Sequence, residues 1–359
     1  MPLLSGVSAP VFKAATHQRP DFSFGSLGGL FVLLAFLPDR GPEREAAEAA
    51  LRQSANLFDD KTRTFFGIVR EEADFASLTS RLPGIRYFHD ADGQIAAQYG
   101  LQQADRSIMG QWVLLDPTMR VISSRPLAAW PETLAEMRAM NDTEAHAGVP
   151  VHAPVLIVPR IFEPEFCRKL IDVYTADGGG PSGVMREIDG RTVGVLDDTK
   201  KRRDANVEDE ALKAEIQKRI RLRLLPQIAK TFMFNVTRME RYIVARYDAA
   251  DGGYFKAHRD NTTKGTAHRQ FACSINLNAE AFEGGDLRFP EYGHRTYRPP
   301  TGGAVIFSCA LLHEATPVTK GSRYAFLPFF YDDAMARIRR ENAGFLDLQP
   351  TEERPKVLA

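Results

Sequence analysis

The stretch Gly252–Thr263 reads GGYFKAHRDNTT. His258 and Asp260 stand two apart in it, and the run looks extended, so both side chains leave one face of a strand. An imidazole and a carboxylate placed in that way reach a single ion at roughly 2.0–2.2 Å. The third ligand must come from elsewhere. His313, in AVIFSCALLHEATPV at residues 304–318, follows Asp260 by 53 residues at the end of another apolar run. Two histidines and one carboxylate on a common face form the triad that leaves positions open on Fe(II). Around these residues, from Arg241 to Tyr331, short β-rich runs alternate with Gly/Pro turns, the pattern of a β-sandwich or jelly roll.

Further outward, Arg323 stands in VTKGSRYAFLPFFY at residues 318–331. A strand there carries a fixed cation back into the barrel, with a planar fork suited to bidentate binding of a carboxylate. RYDAADGGYF, residues 246–255, offers Tyr247 and Tyr254 beside the metal strand. In FACSINLN, residues 271–278, alternation puts Ala272, Ser274, Asn276 and Asn278 on one face. His268 and His294 lack the strand context of a ligand, and Cys273 and Cys309 read as small core residues.

His258 and Asp260, the LN…GGDLRF segment around Gly284 and Gly285, LLHEATPV with His313, and Arg323 together make residues 151–340 resemble the prolyl 4-hydroxylase-like branch of the Fe(II)/2-oxoglutarate oxygenases. The resemblance implies a double-stranded β-helix with supporting helices. It implies Fe(II) held by His258, Asp260 and His313, and 2-oxoglutarate anchored at its far carboxylate by Arg323. O2 is the oxidant and ascorbate an accessory reductant. A tyrosine of that branch touches the co-substrate, and Tyr247 matches it best; Ser274 or Asn276 stands beside the arginine, with Asn276 preferred. The implied reaction hydroxylates a C–H bond of a protein side chain, prolyl-like, or of a small molecule, and releases succinate and CO2. Asp260 favours hydroxylation over halogenation, which replaces the carboxylate with a small residue. A non-catalytic binding protein that keeps both folds is the other class.

The first part of the chain has a different character. From Phe31 to about Met140 the pattern alternates strand and helix, an α/β sandwich. Leu30–Leu37 suits a fully covered central strand, and Pro42 opens a helix that the pattern carries to Phe58. HDADGQIAAQYGL at 89–101 and WVLLDPTMRVI at 112–122 make residues 1–145 resemble the thioredoxin-like fold of peroxiredoxins. Such an enzyme needs a thiolate where the helix after the central strand begins. Here that stretch, residues 36–47, reads FLPDRGPEREAA, and no cysteine precedes Cys167. Thiol peroxidase and disulfide-exchange chemistry are therefore excluded for this domain, which is expected to recruit a protein partner or to self-associate.

Between the two, NDTEAHAGVP at 141–150 reads as a linker, and residues 341–359 as a tail. Ala176–Asn206, with its Gly178–Gly180 run and basic Lys200–Arg203, reads as a long loop folding over the open side of the iron site; its charge run reads as solvated, with attraction of an acidic substrate as the alternative. Asn206 is expected to cap the helix that carries Leu212, Ile216, Ile220 and Leu224 on one face. At 359 residues the chain suits about two domains. Lys and Arg total 46 against 46 Asp and Glu, so net charge points to neither nucleic acid nor an anionic membrane. Three cysteines without a close pair, and no secretion signal at the N-terminus, set the expectation of a cytoplasmic protein with reduced thiols.

Overall fold

A computed structural model describes residues 2–347 and 356–357. The remainder of the expected tail lies outside the described residues. The chain divides into one unit of residues 1–153 with 290–294 and a second of 154–289 with 295–359.

The first unit is built on a five-stranded sheet. Its order is Ile85–His89, Arg63–Val69, Phe31–Phe36, Gln111–Leu115, Val121–Pro126, with the first three parallel and the last two antiparallel. Phe31–Phe36 is buried throughout because both of its faces are covered, which is why it reads as a continuous apolar run. Val32, Leu34 and Phe36 enter one core with Phe66 and Phe88, and Phe31, Leu33 and Ala35 enter the other with Leu51, Trp112 and Met137. The strands and helices follow one another in the expected alternating order. The helix opened by Pro42 ends at Gln53 rather than Phe58, and a short 3-10 turn, Ala55–Leu57, follows.

In the first turn of that helix Arg44 is buried. It donates to Glu48 at 2.8 Å and to both oxygens of Asp74, at 2.6 and 2.9 Å. The three cysteines all lie in the second unit, buried and unpaired, and burial pushes the Cys167 thiol up to about 12. A buried, protonated thiol is a poor nucleophile. The purified protein should therefore consume no peroxide with dithiothreitol or a thioredoxin system; steady thiol-dependent peroxide loss in a coupled assay would contradict this.

In the second unit two sheets carry the residues of interest. The smaller runs Lys200–Lys201, Tyr254–His258, His313–Ala315, Leu287–Arg288, Thr296–Tyr297. The larger one includes Phe271–Asn276, Val318–Phe326, Ile243–Asp248 and Arg203–Asn206, with Ala304–Ser308 paired to Phe271–Asn276. Alternation sorts Phe271–Asn276 as expected. Cys273 and Ile275 join the core formed with the helices Pro164–Asp177 and Glu210–Arg223, which leaves Ser274 and Asn276 for the opposite face.

Two expectations for residues 176–206 are corrected. The segment is not a loop without periodicity: Val184–Ile188 and Arg191–Val195 form a hairpin, Lys200–Lys201 pairs with Tyr254–Phe255, and Arg203–Asn206 pairs with Ile243–Arg246. Asp189-Gly190 at the hairpin turn, both at positive φ, is a strong two-residue turn signal that the sequence did contain. Asn206 is consequently a strand residue, and the following helix is capped three residues later by Asp209, whose side chain accepts from the Leu212 amide. Nor is Lys200–Arg203 a solvated run. Lys200 and Arg202 are buried while Lys201 and Arg203 are exposed, as the period-two alternation of a strand requires.

Candidate metal and co-substrate site

His258 closes the strand Tyr254–His258 and His313 opens the strand His313–Ala315; the two are direct partners in the antiparallel register. Their ring centroids are 4.3 Å apart. Asp260 lies between them, with Oδ1 3.5 Å from His258 Nε2 and Oδ2 3.3 Å from His313 Nε2. The Asp260 amide donates to the Cys309 carbonyl at 3.0 Å, which holds the turn after the strand in place.

The second nitrogen of each ring settles the chemistry. His258 Nδ1 meets the Lys256 carbonyl at 2.7 Å and His313 Nδ1 meets the Leu311 carbonyl at 3.0 Å. A carbonyl only accepts, so in the neutral rings Nδ1 carries the proton and Nε2 turns its lone pair toward Asp260. Burial, followed by the nearby His313, pushes His258 down to about 4, so its ring is neutral at neutral pH. Burial alone would raise Asp260; positive charge and hydrogen bonds from a protonated facing nitrogen outweigh it and hold the carboxyl well below the usual range, so Asp260 is the anion of the set. Three acceptors thus converge, with candidate ligand atoms all within 4.8 Å of one another. Such a set is satisfied by a cation, and its donors fit a ferrous ion. Phe255 stacks on His258 at 3.4 Å between centroids, and Phe307 meets His313 edge-on at 4.6 Å.

Arg323 is 3% exposed on Val318–Phe326, directly opposite Tyr247. Its guanidinium donates to Ser274 Oγ at 2.8 Å and to Asn276 Oδ1 at 3.2 Å, and lies 5.3 Å from the centre of the Tyr247 ring. Both residues left as alternatives beside the arginine therefore hold it. Asn276 is fixed in turn by donating to the Pro299 carbonyl at 2.9 Å. Among the described residues no carboxylate pairs with Arg323, and burial lowers its pKa from the ordinary arginine value. A buried cation held only by neutral partners is costly unless an anion completes it.

Gly285 makes room for this arginine. Its φ is +67°, and a Cβ there would meet Val318 Cγ2 at 2.7 Å and Arg323 Cδ at 3.3 Å. Gly285→Ala should therefore displace Arg323 and lower stability by about 1–3 kcal/mol. A thermal melt and a 2-oxoglutarate titration check both effects; an unchanged melting temperature would show that the turn relaxes freely.

The remaining candidates separate cleanly. His268 is buried against Glu240, 3.0 Å away, within a cluster that includes Arg269 and Arg339, and His294 is exposed; neither joins the triad. Arg202 bonds to Tyr247, and Ser182 bonds to both Arg202 and Lys200; residues 200–203 are four basic residues in a row, with no local mark of which of them are buried.

Residues 242–331 match the 2OG-Fe(II) oxygenase superfamily model, a span that contains every one of His258, Asp260, His313, Arg323, Tyr247 and Asn276. A PKHD-type hydroxylase of Paracoccus denitrificans (strain Pd 1222) is 36% identical over 100 residues, covering 26% of this chain and 42% of that protein. The chain thus spans about half the length, or less, of such curated relatives. Among solved structures, a Pseudomonas putida prolyl-4-hydroxylase is 17% identical with a TM-score of 0.37, covering 50% of this chain and 92% of that one. Peroxidoxin BcpB from Mycobacterium tuberculosis is 22% identical with a TM-score of 0.33, covering 38% and 98%. On the family match and the geometry together, the segment from 242 to 331 is a 2OG-Fe(II) oxygenase domain.

Proposed function

We propose that the chain is an Fe(II)- and 2-oxoglutarate-dependent dioxygenase that hydroxylates a C–H bond in a prolyl-like protein side chain or a small molecule. The observation that carries this reading is the pairing of a convergent His258, Asp260, His313 acceptor set with Arg323, a buried cation with which no carboxylate forms an ion pair among the described residues. The two-sheet framework is read as a double-stranded β-helix. The hydroxylase names of the curated relatives support the class of reaction, and a prolyl-like substrate is proposed on the resemblance alone.

His258, Asp260 and His313 would hold the ion from one side and leave its opposite positions to ligands. When bound, the ferrous ion supplies the oxidising chemistry, with O2 as oxidant and 2-oxoglutarate split to succinate and CO2. The protein's own contribution is placement. Arg323 neutralises the far carboxylate of the keto acid, while Ser274 and Asn276 fix the plane of its fork so that the acid enters in one orientation. Phe255 and Phe307 pack on the two imidazoles and keep water from them.

The competing reading is a binding protein that keeps the fold without turnover. A protein without turnover has no reason to keep His258, Asp260, His313 and Arg323 all four, which favours the enzyme. Purified protein incubated with Fe(II), ascorbate and 2-oxoglutarate should form succinate slowly even without its own substrate. Absence of succinate, with 2-oxoglutarate still bound, would support the binding protein instead. Three buried, unpaired cysteines fit a reducing compartment, and among the described residues no helix is long and apolar enough to cross a membrane. For the first unit, without a thiol, a recruiting or self-associating role is proposed.

A further inference from the structure

The hydroxyl of Tyr247 is already engaged on one side. Arg202 donates from a terminal guanidinium nitrogen to Tyr247 Oη at 3.3 Å, and both side chains are buried. The same guanidinium is gripped by Asp204 through two bonds of 2.6 Å and donates to Ser182 Oγ at 3.1 Å. Ser182 Oγ in turn accepts from Lys200 Nζ at 2.6 Å and donates to Asp204 at 2.5 Å. Every bond fixes the direction of the next.

Two consequences follow from this chain of donors. Asp204 compensates the charge of Arg202, so Arg202 is not itself a free anion anchor. And since a guanidinium nitrogen can only donate, the Tyr247 oxygen must be the acceptor, and its own proton has to point elsewhere. Among the described residues no protein acceptor takes that proton. Arg323 stands opposite Tyr247 in register, 5.3 Å from its ring centre. A neutral donor and a cation, both buried and both without an anionic partner, stand side by side.

We propose that Arg202 is a positioning residue of the co-substrate site: by donating to Tyr247 it aims the tyrosine hydroxyl, alongside the Arg323 guanidinium, at one carboxylate of 2-oxoglutarate. This rests on the oxygenase reading above. With Arg202 gripped by Asp204, the Arg323 guanidinium and the Tyr247 hydroxyl stand as a cation and a donor side by side, which matches a single carboxylate.

The test is a double-mutant cycle on the full chain loaded with Mn(II), in which calorimetry reads 2-oxoglutarate binding without turnover. Arg202→Lys keeps the charge facing Asp204 but has a single nitrogen and no fork to span Asp204 and Tyr247. Tyr247→Phe removes the hydroxyl alone. Each single variant should weaken binding about tenfold, in the range of a hydrogen bond to a charged group. The double variant should bind no more weakly than Tyr247→Phe. Losses that multiply in the double variant, or wild-type affinity in either single variant, would overturn the proposal. Should Arg202→Lys not fold, Ser182→Ala, which releases one bond to the guanidinium, takes its place in the cycle. A loss that vanishes in the Phe background then supports the proposal, and one that persists overturns it. If wild-type protein bound no 2-oxoglutarate at all, the oxygenase reading would fall and this inference with it.

Discussion

Alanine at His258, Asp260 or His313 abolishes Fe(II)-dependent conversion of 2-oxoglutarate to succinate, with each variant still folded. The expected loss exceeds about 100-fold, because even groups that merely orient a metal ligand are typically worth 10–100-fold, and each of these residues supplies one of three protein donors. Asp260→Ala should be the most severe of the three, since it removes the only anion of the set and leaves two neutral imidazoles facing each other 4.3 Å apart. Circular dichroism and metal content measured on the same preparations separate lost ligation from lost fold. A folded variant with full succinate formation would take that residue out of the site.

The second large effect belongs to Arg323→Ala. Removing the guanidinium leaves a desolvated carboxylate without its charged partner, which costs on the order of 2–5 kcal/mol, or at least about 30-fold in the 2-oxoglutarate requirement. Metal binding should survive, because no triad residue touches Arg323 among the contacts that hold it. The variant also leaves Ser274 and Asn276 without the donor they accept from, although Asn276 keeps its bond to Pro299. The check is the KM for 2-oxoglutarate at saturating Fe(II), alongside the apparent affinity for the metal. An unchanged KM would place the anchor on another side chain.

Much of this was legible in the chain itself. The strand carrying His258 was readable because period-two alternation and a following H-x-D need no tertiary information. The five strands of the first unit were readable as short apolar runs bounded by turn residues, and the absence of a thiol there was settled by residue identity alone. Errors gathered in one segment, 176–206. Its strands pair with Tyr254–His258 and Ile243–Asp248, about fifty residues further on, and such pairings leave no local periodicity long enough to recognise. Only the Asp189-Gly190 turn marked the hairpin locally.

The amino-acid sequence by itself determined which groups were available: two imidazoles and a carboxylate at strand ends, one arginine on a later apolar strand, and no cysteine in the first 166 residues. What only the tertiary structure decided is how they face one another. Antiparallel pairing set His258 opposite His313, and backbone carbonyls chose the nitrogen that each ring presents. Burial without a counter-ion singled out Arg323, whereas burial beside Asp204 gave Arg202 a neutralised, orienting place next to Tyr247. Both residues are buried arginines, Arg323 on a strand and Arg202 between two strands. The difference between them lies in which neighbours exclude water and which supply an anion, and long-range packing alone fixes that.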